Sequence, residues 1–332
     1  MEKDFKKILA INFGGIGDEI FFLPSLISLK KEFPNSKITL ALEPRSKSVK
    51  DLTNIIDDLI LIDVKGKNKY FELLKFIFKA RSGKFDTVIS SGGNRFISVL
   101  LFLTGIKKRY GYDTGDLSRK LLTKAVPLNK NQYACKMYHD LVSAITDCRT
   151  DLPEINVPPQ EKIPNSILIH PGVSRLSVQK GMIKTITPEI WAETINILLS
   201  RGKKVILAGG PDDSECIKII LEKVQNTELF ENYYGKTKSL KDLAILIGKA
   251  EKFICSDSAP LHVAVAMRTK TYAIFGPTDD KKLIPQSNLV TAIKANDICP
   301  LKPCLWERRK TTCETLDCLK ISAETIANTV LA

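Results

Sequence analysis

The chain of 332 residues is too long for one ordinary domain and suits two of about 150 residues each. Apolar residues make up 44% and charged ones 26%, which excludes wholesale disorder and supplies a large core. The net charge of +13 calls for an acidic partner (a nucleotide, a nucleic acid or an anionic membrane face) unless it is only a bias of lysine usage.

The opening MEKDFKKILAINFGG lacks the apolar core of a signal peptide, because glycines interrupt it after Phe13. The apolar run 96–106 is far short of the roughly 20 residues that span a bilayer. The expectation is a cytoplasmic protein with at most a peripheral contact at the cytoplasmic face of an inner membrane. Eight cysteines in a chain of this size are not a secreted disulfide framework.

Residues 7–13 read as a strand, and the turn carrying Gly14, Gly15, Gly17 and Asp18 leads into an apolar helix that runs to about Glu32. Strands are expected at 37–42, 59–63, 85–90 and 108–110, with helices near 46–55, 70–81 and 95–103. Such alternation predicts an α/β fold with a parallel sheet covered on both faces. Between 115 and 132 the pattern lapses into polar and basic residues, and a helix follows near 133–146. Pro153, Pro158, Pro159 and Pro164 mark an extended linker, which places domains at 1–155 and 156–332.

A second alternation then begins, with strands at 167–170, 205–208, 253–255 and 271–275 and helices near 188–200, 214–225, 240–248 and 260–267. Two Rossmann-like α/β/α halves facing a cleft are the expected architecture. The last helix, 322–331, is expected to pack back across the first half.

Chemistry concentrates where strands end. Phe253, Ile254 and Cys255 lead into Ser256, Asp257 and Ser258, any of which can cap the helix that starts near Ala259 or Pro260. That helix start offers free amides and a positive dipole end to an anion, and His262 stands one turn in. Gly276, Pro277 and Thr278 turn the chain back over the same edge. The plain alternative is an ordinary βαβ unit whose Asp and Ser only cap a helix.

In the first half, the glycine turn stands where a dinucleotide fingerprint would, but Ile20 occupies the place of its third small residue. Asp18 at the helix start would repel a pyrophosphate and suits a dipole-stabilised base, with Gly14, Gly15 and Gly17 letting a hydroxyl-bearing ligand approach. It could equally be an N-terminal charge on an ordinary turn. In the second half, His170, Pro171, Gly172, Val173 and Ser174 open a loop with Arg175, Lys180 and Lys184, whose lysines can reach phosphate oxygens. Gly209 and Gly210 leave room for a flat nucleobase or ribose, and Ser239 looks like another helix cap.

HPGVS, Lys184 with TPEIWAE, VILAGGPDD, YGKTKSLKDLAILI, CSDSAPLHVAVA and FGPT, in this order, resemble glycosyltransferase family 9, the lipopolysaccharide heptosyltransferases. FGGIGDEIFFLPSL resembles that family's first strand and loop, so the likeness covers nearly the whole chain. It implies a GT-B fold, with the nucleotide sugar, an ADP-sugar above all, on the C-terminal domain and the acceptor on the N-terminal one. It also implies inverting transfer of a heptose to a lipopolysaccharide core or related lipid-linked or oligosaccharide acceptor. Carried onto this sequence, it makes Asp18 the general base and Lys184 the holder of the donor diphosphate. Asp257, Ser258, Ala259 and His262 would line phosphates and sugar, beside Ser174, Gly209 and Gly210. The sequence departs from the family in Thr185-Ile186-Thr187, where Arg-Trp-Pro is usual, and in Ala259, where glycine is frequent.

The chemistry agrees with that likeness. An inverting transfer needs one base on the acceptor hydroxyl while a nucleoside diphosphate leaves from the opposite face. Lys184 and the helix start near Ala259 would stabilise the leaving charge with no metal and no cofactor. Rivals are a GT-B nucleotide-sugar epimerase and a non-catalytic sugar-nucleotide-binding protein. A nucleic-acid binder is disfavoured, since the basic residues are not interleaved with stacking aromatics.

Two features stand apart. Cys299, Cys304, Cys313 and Cys318 are spaced C-x4-C-x8-C-x4-C, open to zinc, to pairing or to plain thiols. Residues 70–81 mix Phe71, Leu74, Phe76 and Phe78 with Lys75, Lys79 and Arg81, and with Lys107, Lys108, Arg109, Arg119 and Lys120 they suit an anionic lipid surface. The simpler reading of 70–81 is a core-packed helix with a solvated basic edge.

Overall fold

The computed structural model describes residues 5–173, 175–225, 227–295, 299–305, 313 and 315–332. The chain divides into two compact units, Met1–Asn156 and Val157–Ala332, each with its own sheet.

Unit 1 runs β1 (Lys7–Asn12), α1 (Ile16–Glu32), β2 (Lys37–Leu42), a 3-10 helix (Pro44–Leu52), β3 (Asp58–Leu61) and α2 (Lys69–Ser82). It continues with β4 (Thr87–Ser90), α3 (Arg95–Leu103), β5 (Lys108–Tyr112), α4 (Asp116–Leu121), β6 (Lys124–Val126) and α5 (Ala134–Asp140). All six strands are parallel, in the order β3-β2-β1-β4-β5-β6. Central β1 is buried from Ile8 to Asn12, as an unbroken apolar run in a doubly covered sheet should be. The helix expected at 46–55 forms as a 3-10 helix in which Ser46, Val49 and Leu52 are buried, a spacing of three that suits three residues per turn. The lapse in pattern after residue 115 conceals α4 and the edge strand β6, whose three residues include a lysine, a common device at sheet edges.

Unit 2 runs β7 (Ile163–His170), α6 (Arg175–Gln179), α7 (Pro188–Ser200), β8 (Lys204–Leu207), a 3-10 turn (Pro211–Asp213), α8 (Ser214–Lys223), β9 (Phe230–Asn232) and α9 (Leu240–Lys249). Then follow β10 (Ala250–Ser256), α10 (Ala259–Ala266), β11 (Lys270–Ile274), α11 (Asp280–Leu283), β12 (Val290–Ile293), a 3-10 turn (Asp317–Leu319) and α12 (Ala323–Leu331). Its parallel order, β12-β11-β10-β7-β8-β9, repeats that of unit 1. Both sheets therefore reverse strand order at one central pair, β1/β4 and β7/β10, where open α/β sheets bind ligands.

One expectation changes. The proline-rich linker ends earlier than expected, because β7 already begins at Ile163; its pairing with β10 slips between Ala250 and Lys252, where Pro164 lacks an N–H and Asn165 turns to φ +60°. The last helix contributes to the core of unit 2. Ile326, Ala327 and Val330 of α12 are buried in the core of unit 2 with Trp191, Ile195 and Leu198 of α7, an apolar face that this unit's own core accommodates.

Candidate active site

The first cluster lies where β1 runs into α1. Asn12, 4% exposed at the end of β1, clamps the turn: its Oδ1 accepts the Gly14 N–H at 3.1 Å and its Nδ2 donates to the Asp18 carbonyl at 3.1 Å. Gly15 caps the helix, which makes Asp18 its third residue. The Asp18 carboxylate folds back, and Oδ2 accepts the Gly15 N–H at 2.8 Å. A Cβ on Gly14 would overlap the Asp18 side chain, so the missing side chain at Gly14 makes room for the carboxylate. Gly15 is more open, its nearest neighbour being Asp18 Oδ2 at 3.8 Å, and Gly17 is half-buried on the first turn.

Tyr138 of α5 completes this cluster and was not foreseen. Its hydroxyl donates to Asp18 Oδ1 at 3.1 Å. Burial, and then the Asp18 charge, hold the phenol well above its ordinary pKa, so it is a fixed donor. Two of the carboxylate's four lone-pair sites are thus engaged, and the half-buried group retains capacity for an acceptor hydroxyl. Beside it, Glu19 is 1% exposed with neither carboxyl oxygen hydrogen-bonded. Burial first, and Asp18 second, push its pKa well above the usual carboxylate range and favour the neutral acid.

The second cluster lies on unit 2, where loops after three strands knit together. Lys184 Nζ reaches Asp257 Oδ2 at 3.3 Å, with Asp257 only 2% exposed and Lys184 at 21%. Ser256 Oγ stands 2.9 Å from the Pro171 carbonyl and 2.8 Å from Thr185 Oγ1, which in turn accepts the Trp191 indole N–H at 3.2 Å. Thr185, one of the departures from the family pattern, therefore ties the end of β10 to the loop after β7. Ser258, one of the three candidate caps, is the N-cap of α10 but makes no side-chain cap bond, so that bond does not occupy the first-turn amides. Ala259 opens that helix, and His262 is buried within it. The expected cap at Ser239 is present, its Oγ accepting the Asp242 N–H at 3.0 Å.

Asp213 is the second unforeseen residue. Its Oδ2 accepts the Gly210 N–H at 2.7 Å and lies 3.8 Å from His170 Nε2. A Cβ on Gly172 would strike this carboxylate, and one on Gly209 would meet Ile217 at 3.2 Å. His170 and Asp213 are not an ion pair at neutral pH. Burial dominates at both, lowering His170 to about 4 and raising Asp213 to about 6 against its hydrogen bond from Gly210. A concavity of about 310 Å³ near Ser214, Ile217, Leu221 and Tyr234 contains none of the expected site residues. Ser174 lies outside the described residues.

The Gly276–Pro277 turn is held by the cysteine-bearing tail. Pro277 O accepts the N–H groups of Cys304 and Leu305 at 3.1 and 3.2 Å, and a Cβ on Gly276 would strike Leu319. Cys299, Cys304, Cys313 and Cys318 are free thiols, and no group of three or more His, Cys, Asp or Glu among the described residues is arranged to hold a metal.

Glycosyltransferase family 9 (heptosyltransferase) matches residues 73–313. The chain belongs to this family. Lipopolysaccharide heptosyltransferase 3 of Escherichia coli is 27% identical over 301 residues, covering 85% of this chain and 86% of that protein. Among solved structures, the glycosyl transferase family 9 protein of Veillonella parvula superposes with a TM-score of 0.75 at 23% identity, over 100% of this chain and 98% of that one. Escherichia coli heptosyltransferase WaaC with ADP superposes with a TM-score of 0.73 at 16% identity, over 98% and 99%. The family 9 chain thus has the α/β GT-B fold, two Rossmann-like domains, and the epimerase and non-catalytic readings lose their ground. Among the described residues no helix is long and apolar enough to cross a membrane.

Proposed function

We propose that this family 9 glycosyltransferase moves a heptose from ADP-heptose to a sugar hydroxyl of a lipopolysaccharide-type core, with inversion and without a metal ion. The observation that carries the mechanism is the Asp18 carboxylate, fixed by Gly15 and Tyr138 at the head of α1 with lone pairs to spare. Asp18 takes the proton as the acceptor oxygen attacks the anomeric carbon, and the bond to the diphosphate breaks on the far face of the sugar. On unit 2, a buried carboxylate is no partner for phosphate; Asp257 serves to hold Lys184, which exchanges toward the diphosphate when the donor enters. Lys184 and the first-turn amides of α10, with His262 one turn in, stabilise the charge that grows on ADP. Heptose and ADP are supported by the family and by relatives whose names carry them.

The test is ADP release from ADP-heptose with and without a heptose-deficient core oligosaccharide, in buffer containing EDTA. Acceptor-dependent ADP release and a mass gain of one heptose are expected. Release that ignores the acceptor, or that EDTA abolishes, contradicts the reading.

A further inference from the structure

The helices on one face of the first sheet carry two apolar stripes where a surface helix needs one. Phe76, Ala80, Leu100 and Leu101, with the half-buried Leu73, Ile77 and Ile97, form a core with Leu9, Ile11 and Val88 of the sheet. That face is complete. Yet Phe71, Leu74 and Phe78, at the i, i+3, i+7 spacing of a second stripe on α2, are 60%, 54% and 69% exposed, and Tyr70 beside them is 73% exposed. On α3, Phe96, Phe102 and Leu103 are 65%, 50% and 41% exposed. The two helices adjoin, since Arg81 Nε donates to the Leu103 carbonyl at 2.9 Å. The core-packed reading of 70–81 thus holds for its inner stripe only.

Charge identifies the occupant. Residues 69–82 carry Lys69, Lys75, Lys79 and Arg81 against Glu72 alone, and residues 87–112 carry Arg95, Lys107, Lys108 and Arg109 with no acid. Cations stand over the outward rings: Lys69 over Tyr70 at 5.0 Å, Lys75 over Phe71 at 4.4 Å, Arg95 over Phe96 at 5.2 Å and Arg109 over Phe102 at 5.5 Å. Aromatic bodies flanked by long cationic side chains are what an interface of acyl chains and anionic headgroups accepts, the rings entering the boundary and the ammonium and guanidinium groups meeting phosphate. A second copy of this surface would set like charges against each other.

We propose that the outer face of α2 and α3 docks the protein on an anionic phospholipid bilayer, with Phe71, Leu74, Phe78 and Phe102 in the headgroup layer. Binding is read with neither donor nor acceptor present, so its outcome does not depend on the transfer activity. Full-length protein is sedimented with vesicles of phosphatidylcholine alone or mixed with phosphatidylglycerol. It should pellet with the mixed vesicles and not with the neutral ones, and salt at roughly 0.5 M should release it.

Phe71→Ser/Phe78→Ser should weaken vesicle binding at least tenfold, and Lys75→Glu/Lys79→Glu should do so by about fivefold or more for each reversed charge. Thermal unfolding should be unchanged in both, since all four positions are exposed. Wild-type protein that ignores the mixed vesicles overturns the proposal, as does wild-type binding by both variants. Concentration-dependent self-association abolished by Phe71→Ser/Phe78→Ser, without vesicle binding, assigns the face to a second copy and overturns it too.

Discussion

The hydroxyl of Tyr138 donates to Asp18 Oδ1 at 3.1 Å across a sequence separation of 120 residues. That bond fixes the direction of the carboxylate at the head of α1, and without it the group is free to turn away from an acceptor hydroxyl. Tyr138→Phe should lower kcat by about tenfold or more with ADP affinity intact, since a hydrogen bond to a charged group is worth about 1.5–3 kcal/mol. Steady-state kinetics with an ADP titration checks this, and an unchanged kcat counts against the pairing.

Gly14→Ala tests the turn. The new Cβ would strike the Asp18 side chain, so the carboxylate must leave its place between Gly15 and Tyr138. We expect kcat to fall about 100-fold, the scale of an ångström-sized misplacement, with the affinity for ADP intact. Steady-state kinetics and calorimetry separate the two.

Lys184→Ala removes the partner of a carboxylate that is only 2% exposed. Both ADP affinity and stability should fall, the latter by about 1–3 kcal/mol because Asp257 is left buried and unpaired. Adding Asp257→Asn should restore the stability without restoring ADP affinity. Denaturant melts and ADP titrations of the three variants decide.

Acid stability turns on His170. Its folded pKa of about 4 lies below the ordinary 6.5, so between those values the unfolded chain binds the extra proton and stability falls with falling pH. Asp213, raised from 3.8 to about 6, acts in the opposite sense, because there the folded chain holds the extra proton. The two offset each other in the wild type. His170→Gln should therefore gain about 2–3 kcal/mol relative to the wild type as pH drops from 6.5 to 4, read by urea melts at the two pH values.

Much of the frame was legible because it rests on local pattern. β2, α3 and α7 form over the expected residues, each an apolar segment with clear ends. The edge strands β6, β9 and β12 were not, since three or four residues on a sheet edge carry too little periodicity to declare themselves. The same limit applies to the site. Asp18, Lys184 and Asp257 stand on strand-to-helix turns with a sequence signature, whereas Tyr138 reaches Asp18, and Asp213 reaches His170 and Gly172, across separations that no local spacing encodes. The glycines showed another limit: Gly14, Gly172 and Gly209 make room for the protein's own side chains, which a sequence does not distinguish from room for a ligand.

The most direct measurement is single-turnover transfer of heptose from ADP-heptose by Asp18→Asn, with ADP affinity measured on the same preparation. The substitution keeps size and an acceptor oxygen toward Gly15 but removes the base. The account predicts binding of ADP within about twofold of wild type and a transfer rate lower by about 100-fold or more. Transfer at the wild-type rate would show that the proton leaves by another route and that Asp18 only caps its helix.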